Sequence, residues 1–177
     1  MKKLIVLPGN SQRNEAWGEA CMAHFAPWFD SVYLQRYDHW RTGEQDIDIE
    51  AELAKLAKET ADAEATYYVF AKSIGSLLTL LATHQGLARP VHCVFFGMPL
   101  ELAGEELFKD DWSPLGDFDV LSLAFHNDKD PISYPYTKDA LEEHSAGMIE
   151  LVTLKGDNHD YLDFSDYEEQ IKNFLHI

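Results

Sequence analysis

Along this chain, short runs of apolar, β-branched and aromatic residues alternate with segments whose apolar residues recur every three or four positions. The runs Lys3–Leu7, Ser31–Gln35, Thr66–Ala71, Val91–Phe96, Val120–His126 and Ile149–Leu154 predict strands. Tyr67-Tyr68-Val69-Phe70 and Val94-Phe95-Phe96 are almost wholly apolar, as expected of central parallel strands covered on both faces. Between the runs, Ile49, Leu53, Leu56, Ala57 and Thr60 share one face of a predicted helix. Phe164, Tyr167, Ile171, Phe174 and Leu175 share a face of the last one, and Ser165 with Glu168 reads as a capping box at its start. Such alternation predicts an α/β fold with a parallel sheet and right-handed crossovers. Residues 97–118 break the rhythm. They carry Pro99, Gly104, Pro114 and Gly116, with a short helical pattern around Glu101–Phe108 and no strand. This segment is either a cover over a site or an ordinary surface excursion.

Composition narrows the picture. The 177 residues are 46% hydrophobic and 12% aromatic, enough to bury a core in a single domain spanning 1–177. Fourteen Lys and Arg against 31 Asp and Glu leave a net charge of −17, with no basic run. That balance disfavours nucleic acid and anionic membrane as partners. No apolar run approaches the roughly 20 residues of a membrane span. The start Met1–Gly9 has too short an apolar run for a signal peptide, and no small-residue cleavage site follows it. Cys21 and Cys93 build neither a disulfide framework nor a zinc site. A reduced, cytoplasmic protein is expected.

The chemistry-bearing segment is Tyr67-Tyr68-Val69-Phe70-Ala71-Lys72-Ser73-Ile74-Gly75-Ser76, an apolar strand running through small-X-Ser-X-Gly into an apolar helix. This is the nucleophile-elbow pattern G-x-S-x-G with Ala71 in place of the first glycine. The turn is tight, so the positions two before and two after the serine must be small. Ser73 could equally be a helix N-cap. A serine hydroxyl needs a base to take its proton and an acid to orient that base. After the fifth predicted strand, Asn127-Asp128-Lys129-Asp130-Pro131 places two carboxylates in a loop, although the same residues suit an ordinary turn. After the sixth, Gly156-Asp157-Asn158-His159 places a histidine in the equivalent loop, where it could also be merely solvated. Together they give the order Ser73, Asp130, His159, each beyond the carboxyl end of a strand, where open parallel sheets bind ligands. His126 ranks second as base. Lys72 is expected to be solvated, and Cys93 to pack. Trp17, Trp40 and Trp112 either line a cleft or belong to the core. There is no helical His-pair metal motif and no nucleotide-binding glycine motif, so no cofactor is expected.

From Leu4 to Leu175 the sequence resembles the α/β-hydrolase fold, in a minimal form similar to the small lidless serine hydrolases of the retinoblastoma-binding-protein type. The resemblance implies a three-layer α/β/α architecture with a six-stranded, mainly parallel sheet in the order 2-1-3-4-5-6. It also implies that the family's first two strands are missing. The family's acid loop aligns so as to select Asp130 over Asp128, and its base loop matches at His159. The oxyanion hole would comprise the backbone N–H of Ile74 and that of Asn10, with Ser11 the second choice. These follow Pro8-Gly9, where the family commonly has His-Gly, and Gly9 is expected to permit the turn. The implied function is a cofactor-independent serine hydrolase cleaving small carboxylic esters, or thioesters or amides, through an acyl-enzyme. The alternative is a non-catalytic binding protein on the same fold, which Ala71 and the absent oxyanion-loop histidine favour.

Overall fold

The computed structural model describes residues 1–44, 46–132 and 134–177, with the side chains of Glu105 and Glu106 left aside. Six parallel strands form one sheet in the order β2-β1-β3-β4-β5-β6. They are β1 (Lys2–Leu7), β2 (Ser31–Leu34), β3 (Thr66–Lys72), β4 (His92–Phe96), β5 (Ser122–Asn127) and β6 (Ile149–Leu154). Between β1 and β2 lies α1 (Asn14–Phe25). The one-turn α2 (His39–Thr42) and α3 (Ile49–Glu59) precede β3, and α4 (Ile74–His84) follows it. After β5 come α7 (Tyr134–His144) and, beyond β6, α8 (Ser165–Leu175). Between β4 and β5 the chain forms α5 (Leu100–Leu102), a π-helical turn (Ala103–Phe108) and α6 (Ser113–Gly116).

Strand alternation divides the core in two. Leu4, Val6, Tyr68, Phe70, Val94, Phe96, Leu123 and Phe125 pack with Trp17, Cys21 and Phe25 of α1 and with Tyr167, Ile171 and Leu175 of α8. Ile5, Leu7, Val69, Ala71, Cys93, Phe95 and Ala124 face the other way, toward Leu53, Leu56, Leu77, Leu78 and Leu81. Each buried Leu or Phe contributes about 1.5–3 kcal/mol of transfer free energy, which makes the sheet a rigid platform. The 97–118 segment shares that second core through Leu100, Ala103, Phe108, Leu115 and Phe118.

The predicted strands stand within two residues at each end. Val91 and Leu121 fall outside them, 43% and 53% exposed at the amino-terminal edge of the sheet. The N-terminus of α3 is capped by Asp48, whose Oδ1 accepts the Ala51 N–H at 3.0 Å. The capping box expected at α8 does not form. Phe164 is already helical (φ −63°, ψ −21°), whereas an N-cap needs extended backbone, so Ser165 lies inside the first turn and its Oγ donates to Asp163 Oδ1 instead. No helix among the described residues is long and apolar enough to cross a membrane.

Candidate active site

The carboxyl edge of the sheet carries the serine turn. Ser73 joins β3 to α4 with φ 51° and ψ −123°, a conformation that costs a non-glycine residue about 1–3 kcal/mol. Its side chain makes no capping hydrogen bond, which sets the N-cap reading aside. Neighbouring backbone holds it there: the Ser73 N–H donates to the Phe96 carbonyl at 3.0 Å, and the Ser73 carbonyl accepts the Ser76 N–H at 2.9 Å. The demand for small residues is steric. A Cβ on Gly75 would lie 2.2 Å from the Leu7 carbonyl oxygen, while the Ala71 methyl fits, fully buried in the core. The Ile74 N–H, in the first turn of α4, is among those with no intrahelical acceptor.

Two further loops bring a carboxylate and an imidazole to the same edge. His159 Nδ1 lies 2.8 Å from Asp130 Oδ2 and 3.0 Å from Oδ1. Since a carboxylate only accepts, Nδ1 carries a proton, which in the neutral form of the ring leaves the lone pair on Nε2. That Nε2 is buried and has no hydrogen-bond partner among the described residues. Asp130 is 6% exposed. Burial works against its charge, but hydrogen bonds from His159, the Tyr161 hydroxyl and the Ile132 N–H outweigh it and hold the carboxyl below the usual range. Asp128 makes no such contact. It pairs with Lys155 at 2.6 Å and accepts the Gly156 N–H at 3.2 Å, bracing the base loop from outside. His126 Nε2 donates to the Ile132 carbonyl at 3.1 Å and lies 3.7 Å from Asp130 Oδ2, so this second-ranked base supports the acid loop.

The loop after β1 is held by its carbonyls. Tyr37 donates to Pro8 O at 2.7 Å, and both His39 Nε2 (2.9 Å) and Trp40 Nε1 (2.7 Å) donate to Asn10 O. Within a trans peptide the N–H points opposite to the C=O, so clamping Asn10 O also fixes the Ser11 N–H. Gly9 lies where an added side chain would displace Asn14, not where a left-handed turn demands a glycine. Its φ is not positive, but a Cβ there would come within 2.7 Å of the Asn14 side chain.

Lys72 departs from expectation. It continues the alternation of Tyr68 and Phe70 onto the face covered by α1, so it is buried at 4% exposure instead of solvated. Its Nζ donates to Asn14 Oδ1 at 2.6 Å, and desolvation lowers its pKa to about 8 against the pull of Asp160 and Asp130. Cys93 is buried in the core, where desolvation raises its thiol pKa. Trp17 and Trp40 are buried, and Trp112 stacks on His144.

Sequence reasoning missed Tyr161 and Gly97. Tyr161, held at φ 52°, donates its hydroxyl to Asp130 and accepts the Asn127 N–H at 3.0 Å. An aromatic two residues beyond His159 was the only available signal. Gly97, at φ 58°, leaves the space in which the His159 ring sits, and its place just after an apolar strand was its only mark.

A hollow of about 470 Å³ opens beside the β1 loop, lined by Asn10, Ser11, Gln12, His39, Trp40 and Glu44. A larger one of about 860 Å³, with Thr83, His84, Arg89 and Asp119 in its walls, belongs to the amino-terminal edge of the sheet and shares no residue with the serine turn. Among the described residues no cluster of three or more His, Cys, Asp or Glu is disposed to hold a metal ion.

Solved structures with this architecture include a protein of Pectobacterium atrosepticum described as a YdeN-like hydrolase, 18% identical, with a TM-score of 0.72 over 99% of this chain and 90% of that one. The fold is that of the α/β-hydrolases. Est1E of Butyrivibrio proteoclasticus, solved with ferulic acid bound, is 13% identical with a TM-score of 0.72, covering 99% of this chain and 88% of its own. BorB, a type II thioesterase of the borrelidin biosynthetic cluster, is 20% identical with a TM-score of 0.69, covering 99% and 91%. At these identities the likeness concerns the α/β-hydrolase fold alone. No protein-family model and no curated protein matches the sequence.

Proposed function

We propose that this protein is a serine hydrolase that cleaves small carboxylic esters, or thioesters or amides, through an acyl-enzyme. The observation that carries the reading is the polarity of His159. Its Nδ1 is bound to a buried carboxylate, and its buried Nε2 has no hydrogen-bond partner among the described residues. An imidazole fixed in that tautomer is a poised general base. In this reading Nε2 takes the proton of Ser73 as its oxygen attacks the acyl carbon. Asp130 holds the tautomer and stabilises the imidazolium. The N–H groups of Ile74 and Asn10, or Ser11, receive the oxyanion. His159 then protonates the leaving group and activates the water that releases the acyl group.

The strained serine turn supports the same reading, since such strain persists where function requires it. The fold neighbours include a type II thioesterase and Est1E with ferulic acid bound, which suits acyl transfer. The hollow beside the β1 loop, lined by Asn10 and Ser11, suits a small acyl or leaving group in this reading. The test is labelling with a fluorophosphonate probe, followed by turnover of p-nitrophenyl esters of increasing acyl length. The expected result is one label on Ser73, lost in Ser73→Ala and reduced at least 10²-fold in His159→Ala. A folded protein that resists the probe at millimolar concentration would instead be a binding protein.

A further inference from the structure

Lys72 is a costly residue for its position. A buried ammonium loses hydration worth several kcal/mol, and an apolar side chain would fill the space without that loss. The residue is 4% exposed, and its hydrogen bond goes to the neutral Asn14 Oδ1, at 2.6 Å. What Asn14 does with its other atoms gives the lysine a purpose. Both its backbone N–H (2.8 Å) and its Nδ2 (3.1 Å) donate to the Ser11 carbonyl. With Oδ1 occupied by the ammonium, the amide cannot turn over, so Nδ2 must face Ser11. The flat of the same amide lies against Gly9, where a Cβ would approach Nδ2 to 2.7 Å. Asn14 therefore touches both Gly9 and Ser11, and the residue that fixes Asn14 is the one immediately before Ser73.

Resting on the hydrolase reading, we propose that Lys72 is a positioning residue which, through Asn14, locks the Gly9–Ser11 loop against the serine turn and so holds in place the segment that carries the second oxyanion donor. A charge-assisted bond is about twice as strong as a neutral one, which explains why an ammonium holds this amide. The cation also reaches the base loop: Trp17, one turn along α1, lies 6.0 Å from Nζ by its ring centroid and donates Nε1–H to the Tyr161 carbonyl at 3.0 Å. The charged groups that face Lys72 are Asp160 and Asp130, in the loops beyond β6 and β5. From α1 it meets the uncharged Asn14 and Trp17. Burial brings its ionisation to about 8, so loss of the charge falls within a pH range where the protein can be assayed.

The experiment compares wild type with Lys72→Met, Asn14→Ala, Asn14→Asp and the Lys72→Met/Asn14→Ala pair between pH 6 and 10. It follows p-nitrophenyl acetate turnover together with the amide 15N–1H shifts of Gly9, Asn10 and Ser11. In wild type, kcat falls several-fold with a midpoint near pH 8, and the loop amides titrate with it. Lys72→Met lowers kcat about 10-fold at pH 7 with KM within 2-fold of wild type, and both inflections disappear. Asn14→Ala lowers kcat similarly, and the double variant is no worse than either single one, because both act along one path. Asn14→Asp, whose carboxylate pairs with the ammonium, moves the inflection up by about a unit or more. Additive losses, or loop amides indifferent to both pH and Lys72→Met, overturn the proposal. A wild type that neither turns over ester nor takes a fluorophosphonate overturns the hydrolase reading, while the amide shifts still decide whether Lys72 locks the loop.

Discussion

The His159 ring fills the space a side chain at position 97 would take: a Cβ built on Gly97 would lie 2.6 Å from its Cε1 and 2.8 Å from its Nδ1. Phe96, one residue earlier, gives its carbonyl to the Ser73 N–H. The end of β4 is thus a floor shared by the serine turn and the imidazole. Gly97→Ala should push the ring off that floor and lower kcat/KM for p-nitrophenyl acetate at least 10²-fold. It should also lower stability by about 1–2 kcal/mol, because alanine resists a φ of 58°. Kinetics and urea unfolding on one preparation check both effects, and a fully active variant would mean that the ring does not rest there.

The strain at Ser73 should be measurable as stability. Ser73→Gly removes the Cβ that disfavours φ 51° and should stabilise the protein by about 1–2 kcal/mol, while abolishing fluorophosphonate labelling. Ser73→Ala keeps the Cβ and should gain little. A glycine variant no more stable than the alanine one would show that the turn is relaxed.

Tyr161→Phe tests the support of the acid. Wild-type Asp130 has a folded pKa below its unfolded one, so its contribution is present above the ordinary carboxylate range and is lost as pH falls through the folded value. Removing the hydroxyl takes one hydrogen bond from Asp130 and orphans the Asn127 N–H. Stability at pH 7 should fall by about 1–3 kcal/mol, and the Asp130 part of the gap should close in acid. Unfolding curves at pH 7 and pH 3 measure this, and a gap that does not narrow would remove Asp130 from the account.

Lys72 predicts a slope of the same sign in a different window, at alkaline instead of acid pH. The unfolded lysine holds its proton to about 10.5, the folded one only to about 8, so the unfolded state binds more protons between these values. Wild-type stability should therefore rise by roughly 2–4 kcal/mol across that window, on this group's account. Lys72→Met should lack the rise and be the more stable of the two below pH 8. Parallel curves for both proteins would show that the ammonium is well solvated.

Much of this was legible beforehand because it is written in local pattern. The apolar runs of β3, β4 and β5 leave few alternatives to central parallel strands, and the small-X-Ser-X-Gly spacing announces a tight turn wherever it lies. The Ser165–Glu168 capping box failed because a cap is decided by backbone conformation, and the chain turns helical one to two residues early, at Asp163 and Phe164. Lys72 was misjudged because residue type suggests exposure, whereas strand alternation and the coverage by α1 put it inside.

The sequence by itself determined the strand–helix order, the position of the serine turn and the loops holding Asp130 and His159, since each depends on neighbours a few residues away. Only the tertiary structure decided which carboxylate meets the imidazole, that Tyr161 shares it, that Gly97 leaves room for it, and that Lys72 reaches Asn14. Those contacts join residues 31, 29, 62 and 58 positions apart. Such distances are closed by sheet register and helix packing, which no local spacing encodes.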